Sequence, residues 1–274
     1  MEIDEFESED NAGQVEDFEG EEAEERPRRR PVWLRVIAFI TALAFLGLVL
    51  IPLWPNQLLP LADLVNQSLR LKKDVDKSLL QAVVQINVIS RRQGSAVSVD
   101  QKSGTGFNID PGGIIITNHH VIDGALNVAI TFPDGRVYKV DRLKSNPETD
   151  LAVIALQADG LPVVPVNASK PPVPGDKIRV VGNPRTLNNI LVEGHVRHYL
   201  RLQDRNGPVF SIDAPIFPGN SGSPVFNMNG QVVGVVFGSL QGEENAQEKV
   251  SGLAVTIDEA MKLIDYGISI QRSQ

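Results

Sequence analysis

Apolar and polar positions divide the 274 residues into stretches with different periods. From Val36 to Ala62 no charged residue occurs, and Val36–Ile51 is almost wholly apolar. A run of this kind matches a membrane-spanning helix with its flanks. Trp33 and Trp54 bracket it, 21 residues apart. At ~1.5 Å per residue that is about 31 Å, one hydrocarbon thickness. Indole rings at both rims are expected of an interfacial belt, so the span is placed at residues 32–54. Leu61, Leu64, Val65, Leu71, Val75 and Leu79 then recur at helical spacing among charged positions, with Pro60 placed for a helix start. Residues 55–80 are therefore expected to form a helical juxtamembrane stalk.

From about Ala82 the pattern changes to short β-rich runs separated by turn signals. The runs are Val83–Ile89, Gly106–Ile109, Ile114–Asn118, Asn127–Phe132, Val137–Arg142, Leu151–Leu156, Lys177–Val181, Ile190–His198, Val209–Ile212, Val225–Asn227, Val232–Gly238 and Leu253–Thr256. Asp110-Pro111-Gly112-Gly113 and Pro133-Asp134-Gly135 are turns between them. In this region only Ile257–Tyr266 reads as a helix. Five prolines between Gly160 and Asp176 divide the strands into two sets. No repeat of solenoid length is present. The expectation is an all-β domain over residues 81–274, built as two small barrels.

Charge refines this division. The formal net charge is −8. Residues 1–30 carry 13 acids and 4 bases, a net of −9, and the remaining chain carries 21 acids and 22 bases, a net of +1. Residues 1–31 are thus expected to be a disordered acidic tail. The nearly neutral body offers no face for nucleic acid. The bases of the tail cluster at Arg26, Arg28, Arg29 and Arg30, with Arg35 following, so the positive-inside bias puts the tail in the cytoplasm and residues 55–274 outside. A cleaved signal peptide fits less well. Its only candidate site, Ala42-Leu43-Ala44, lies inside the apolar run and follows a long acidic leader.

The sequence has no cysteine, which excludes disulfides, thiolate zinc sites and a cysteine nucleophile. Four histidines remain: His119, His120, His195 and His198. The strongest chemical signal is Pro218-Gly219-Asn220-Ser221-Gly222-Ser223-Pro224. A serine between glycines just before a strand exposes its hydroxyl, and the glycines allow a turn that aims backbone N–H groups at one point, as an acyl-transfer oxyanion requires. The second is Ile116-Thr117-Asn118-His119-His120-Val121, where a histidine at a strand end can act as general base. The third is Asp150, an acid at the mouth of the apolar run Leu151–Leu156. Each alone is compatible with a structural loop residue. Together they stand in the order His…Asp…Ser of the chymotrypsin-like arrangement, with the first two in one lobe and the serine in the other. The site is expected in the cleft between them.

Residues 82–266 resemble the protease domain of the HtrA-type (Deg) serine proteases. The matching motifs are Gly104-Thr105-Gly106-Phe107, Thr117-Asn118-His119-His120-Val121, Thr149-Asp150-Leu151-Ala152-Val153, Gly182-Asn183-Pro184, and Asp213-Ala214 leading to Gly219-Asn220-Ser221-Gly222. The resemblance implies a chymotrypsin-like double β-barrel and an ATP-independent endopeptidase acting on polypeptides, with no cofactor. It selects His120, the histidine immediately before the valine, over His119. Ser223 departs from the glycine common in the family and is similar to the residue of glutamyl endopeptidases. The sequence runs about eight residues past the last predicted helix, so no PDZ domain is expected to follow. A homotrimer is usual in the family, but its N-terminal contacts cannot be matched here.

The expected roles follow from the chemistry. Ser221 attacks the peptide carbonyl, His120 carries the proton and Asp150 orients the imidazole. The N–H groups of Gly219 and Ser221 bind the oxyanion. The approach Pro215-Ile216-Phe217-Pro218 carries no charge, so Ile216 with Val236, Phe237 and Gly238 is expected to form a pocket for a small or medium apolar side chain. The pair His195 and His198 is not read as a metal site: residues three apart on a strand face opposite sides, and no carboxylate or cysteine completes the set. The competing reading is a non-catalytic, protease-like binding or chaperone module at the membrane, which would need a broken triad. The sequons Asn66-Gln67-Ser68 and Asn167-Ala168-Ser169 matter only in a eukaryotic secretory pathway. An exported β-protease without cysteine fits a bacterial envelope, with a role in protein quality control or regulated proteolysis.

Overall fold

The computed structural model describes residues 32–50, 58–91, 99–184, 187–202, 205, 207–241 and 250–265. The acidic tail, Trp54 and Tyr266 lie outside the described residues. The chain divides into two units, residues 1–55 and 56–274.

In the first unit, helix α1 runs Val32–Leu50, 19 residues, or about 28 Å of rise. Thr41 returns its hydroxyl to the carbonyl of Ile37 at 2.9 Å, so the one polar hydroxyl in its middle is satisfied within the helix. Trp33, Val36, Ile37, Phe39, Ile40, Leu43 and Phe45 are all exposed. Side chains in this helix are described at Trp33 and over 36–45, and among the described residues no helix is long and apolar enough to cross a membrane.

The second unit opens with α2, Leu58–Leu71, a 3₁₀ turn at Lys72–Asp74 and α3, Lys77–Gln81. Asp76 caps α3 by accepting the N–H of Ser78 at 2.9 Å. The helical spacing from Leu61 to Leu79 thus forms helices, and they lie on the β domain. Leu64 is buried in the core of the second lobe, and Ser68 accepts the N–H of Leu191 at 2.9 Å. Burial of a leucine contributes roughly 1.5–3 kcal/mol, so this segment helps hold the domain together.

The strands follow in order: β1 Val83–Arg91, β2 Val99–Asn108, β3 Ile114–Thr117, the single helical turn α4 His119–Ile122, β4 Ala125–Thr131, β5 Val137–Lys139, β6 Arg142–Asn146, β7 Leu151–Ala155, β8 Lys177–Gly182, β9 Ile190–Leu200, β10 Val209–Ile212, β11 Pro224–Asn227, β12 Val232–Gln241 and β13 Val250–Thr256. Helix α5, Ile257–Asp265, comes last. The first lobe is a seven-stranded sheet in the order β5-β4-β1-β2-β3-β7-β6. The second is a closed barrel, β10-β13-β12-β11-β8-β9. This is the expected double β-barrel. The run Val137–Arg142, expected as one strand, is two. Val137–Lys139 pairs with β4 and Arg142–Asn146 with β7, so the chain turns a corner between the two ends of the sheet.

The inner strands β3 and β7 are apolar on both faces because both faces are covered. In β7, Ala152 and Ile154 enter the core of the first lobe with Ile86, Ile115 and Ile130. Leu151, Val153 and Ala155 point the other way, into a cluster shared with Val181, Val209, Phe226 and Val255 of the second lobe. Ile257, Ala260 and Ile264 place α5 in the same cluster. The period of two thus assigns alternate residues to a barrel interior and to the seam between barrels. That seam positions the candidate site.

Candidate active site

Asp150 stands one residue before β7, at the edge of the seam. Its φ is 54°, a left-handed conformation that is uncommon for a residue with a side chain. The surroundings fix it there. Its carbonyl accepts the side-chain amide of Asn118 at 2.9 Å and the N–H of His119 at 3.1 Å. Its carboxylate then faces His120: Oδ1 accepts the His120 N–H at 2.9 Å, and Oδ2 lies 2.7 Å from His120 Nδ1. An ionised carboxylate only accepts, so Nδ1 carries the proton and Nε2 is left free as a base. His120 itself is half exposed, whereas Asp150 is buried.

The α4 turn separates the two adjacent histidines. His119 Nδ1 is 3.0 Å from the Ser145 hydroxyl in β6, and its Nε2 is 3.8 Å from Asp123. The imidazole of His120 is the one that meets Asp150.

Burial acts to raise the Asp150 pKa, but hydrogen bonds from His120 and Arg205 together with the His120 charge outweigh it and hold the carboxyl below its usual value. Arg205 is a site residue that the sequence pattern does not mark. It belongs to the connection between β9 and β10, and its Nη2 lies 2.9 Å from Asp150 Oδ2. Its guanidinium also stacks on Phe237, 3.8 Å from the ring centroid.

Ser221 sits in the turn before β11, on the second lobe. Gly219 and Gly222 have φ of 99° and 85°, which only glycine adopts without strain. The turn is closed by Asn220 N–H to Phe217 O at 3.0 Å and Ser223 N–H to Asn220 O at 2.9 Å. Among the described residues, neither the N–H of Gly219 nor that of Ser221 donates to a protein acceptor. Ser223 differs from Ser221: it is fully buried, against Gly182.

Thr105 of β2 brings the serine turn to the first lobe. Its N–H donates to Ser221 O at 2.9 Å and its hydroxyl donates to Gly219 O at 2.7 Å. The same hydroxyl accepts the Asn183 N–H at 2.9 Å, and Thr105 O accepts the Thr117 hydroxyl at 2.7 Å. A Cβ on Gly222 would run into Thr105 O, so the contact requires glycine. A Cβ on Gly104 would lie 2.7 Å from Val121 Cγ1, in α4, and 3.3 Å from Ser221 O. Gly104 is thus the spacer between the histidine turn and the serine turn.

The four expected pocket residues divide. Ile216 and Val236 are buried together in the core of the second barrel. Phe237, on the other side of β12, joins the inter-lobe cluster and carries Arg205 on its face. Gly238 borders open space: a methyl group on its Cα would meet nothing within 4 Å. His195 and Arg197 lie elsewhere, beside Asp213 at 3.6 and 2.9 Å.

Two barrels with a His–Asp pair on one and a glycine-framed serine turn on the other define a trypsin-like serine-protease domain. The family model for the trypsin-like peptidase domain matches residues 104–235. Within that class the chain is similar to HtrA-type proteases. Over 165 residues the chain is 37% identical to the serine protease HhoA of Synechocystis, covering 57% of this chain and 41% of that protein. Over 149 residues it is 38% identical to a DegP-like periplasmic serine endoprotease of Chlamydia trachomatis, covering 53% of this chain and 30% of the relative. The chain therefore spans well under half the length of these curated relatives. Among solved structures, the active form of the Rv3671c protease from M. tuberculosis is similar, with a TM-score of 0.60 and 26% identity, covering 72% of this chain and 84% of that one.

Proposed function

We propose that the protein is a serine endopeptidase working through an acyl-enzyme, with Ser221 as nucleophile, His120 as general base and acid, and Asp150 as the group that orients the imidazole. The observation that carries this reading is the 2.7 Å contact between His120 Nδ1 and Asp150 Oδ2, which leaves Nε2 to take the serine proton. The undonated N–H groups of Gly219 and Ser221 supply the oxyanion site; such a donor is worth roughly 3–4 kcal/mol in related enzymes. The substrate is a polypeptide with a small or medium apolar residue before the cleaved bond. The approach Pro215-Ile216-Phe217-Pro218 carries no charge to meet a basic or acidic side chain, and the open space at Gly238 admits a substrate backbone. A peptide-library digest tests both parts. Cleavage after small apolar residues, abolished by a serine-directed fluorophosphonate, is expected. Cleavage that ignores the reagent, or that follows Lys, Arg or Glu, would contradict the reading.

The proposal extends to a single membrane anchor at residues 32–54, with the catalytic domain outside the cytoplasm of a bacterial cell. The support is the uncharged run, the arginine cluster before it and the exposed apolar side chains of α1, which need an apolar surround. Periplasmic DegP-like proteins among the relatives point to the same compartment. Protease added to spheroplasts is expected to digest residues 82–274 and to spare the acidic tail. Protection of the domain with loss of the tail would reverse this topology.

A further inference from the structure

We propose that Arg205 is a positioning residue for the His120–Asp150 pair: it clamps the Asp150 carboxylate from the second lobe and so holds the imidazole in line. The inference rests on the triad reading above and assigns a role to a residue outside it.

Asp150 Oδ2 has two donors, His120 Nδ1 at 2.7 Å and Arg205 Nη2 at 2.9 Å. Oδ1 is taken by the His120 N–H at 2.9 Å. Arg205 is thus the only side-chain donor, apart from the histidine it serves, that the described residues place on this carboxylate. Its second amino group reaches the Thr149 carbonyl at 3.4 Å, so the guanidinium spans the peptide unit leading into Asp150. Phe237 supports the flat face of the guanidinium from below, 3.8 Å to the centroid, and Arg205 is about three-quarters buried. A planar group held on one face by an aromatic ring and on its edge by a carboxylate has little freedom left. The contact is made across the inter-lobe seam, since Arg205 follows β9 of the second lobe and Asp150 precedes β7 of the first.

The clamp has a geometric consequence. Oδ2 must face His120 Nδ1 for the imidazole to keep its orientation and tautomer. A planar guanidinium that contacts the carboxylate and the preceding carbonyl, and rests on an aromatic ring, resists rotation of the carboxylate away from the histidine. Among the described residues, the ion-pair partners of Asp150 are His120 and Arg205.

The test compares Arg205→Met, Arg205→Lys and Phe237→Leu with wild type in the full chain, on a fluorogenic peptide, as kcat and KM. Arg205→Met is expected to lower kcat about 10- to 100-fold through loss of alignment while KM stays within about twofold. Arg205→Lys restores a charged donor but not the fork, so it should recover part of the lost kcat. Phe237→Leu removes the support alone and should lower kcat; it keeps the inference open to refutation if Arg205→Met fails to fold. Wild-type kcat in a folded Arg205→Met protein would overturn the inference. A KM change alone, or no recovery of kcat in Arg205→Lys, would do the same. Ser221→Ala run alongside separates the two failures. Activity surviving in that variant defeats the triad reading, whereas its loss beside an unaffected Arg205→Met defeats only the clamp.

Discussion

Replacing Ser221 with alanine is expected to abolish peptide hydrolysis while leaving the fold intact. The residue is half-buried in the cleft, and its hydroxyl makes no hydrogen bond on which the turn depends, since the turn is held by backbone groups and by Thr105. Loss of a serine nucleophile costs about 10⁶-fold in kcat in a comparable triad. Fluorophosphonate labelling should vanish with it. Ser223→Ala is the informative control. Ser223 is fully buried against Gly182 and cannot meet a substrate, so this variant should keep substantial activity and the label. Mass spectrometry of labelled peptides checks the outcome. A label on Ser223, or activity lost with Ser223 and kept without Ser221, would move the nucleophile.

Asp150→Asn has the second-largest expected effect. An amide in place of the carboxylate offers an N–H where His120 Nδ1–H needs an acceptor, and the imidazole turns to the wrong tautomer. The loss in the chymotrypsin-type triad is about 10⁴-fold in kcat, and the same order is expected here. The variant also carries a stability signature. Asp150 has a folded pKa held below its ordinary value by His120 and Arg205 against the cost of burial. Its contribution is therefore fully present above the unfolded carboxyl pKa of about 3.9 and is lost as pH falls through the lower folded pKa. Wild type should lose stability on acidification through that window, and Asp150→Asn should lose less there. Urea unfolding at pH 7 and pH 3 measures the difference. An equal acid loss in both proteins would mean that Asp150 is not held in the paired state.

The proposed triad is legible in the sequence because its members are announced by local features. Glycines on both sides of Ser221, an apolar run ending at His120 and another starting at Asp150 are all short-range signals. The strands are legible for the same reason, although residues buried on both faces give no alternation to say which face meets which core. What the sequence hides is non-local. Arg205 lies in a polar connection with no periodicity, and its partner is 55 residues away. Phe237 reads as pocket wall, and its place in the inter-lobe cluster beneath Arg205 depends on chain segments far from it in sequence. The corner between Lys139 and Arg142 is hidden because a continuous β-rich run does not show that its two halves pair with opposite ends of one sheet. The helices over 58–81 show their spacing but not the surface they cover. Leu64 and Ser68 find their partners only in the folded second lobe.

Thr105 belongs to one barrel by sequence and to the other by function. Its backbone and hydroxyl hydrogen bonds hold the serine turn, the strand before the histidine turn and Asn183 at a single point. Inheritance at this position is therefore shared between halves of the gene that encode different lobes. A lobe exchanged for that of a relative brings a functional serine turn only if the strand carrying Thr105 and its flanking glycines comes from a compatible parent. Recombination between such genes should tolerate crossovers in the proline-rich linker only when both parents agree at this one residue.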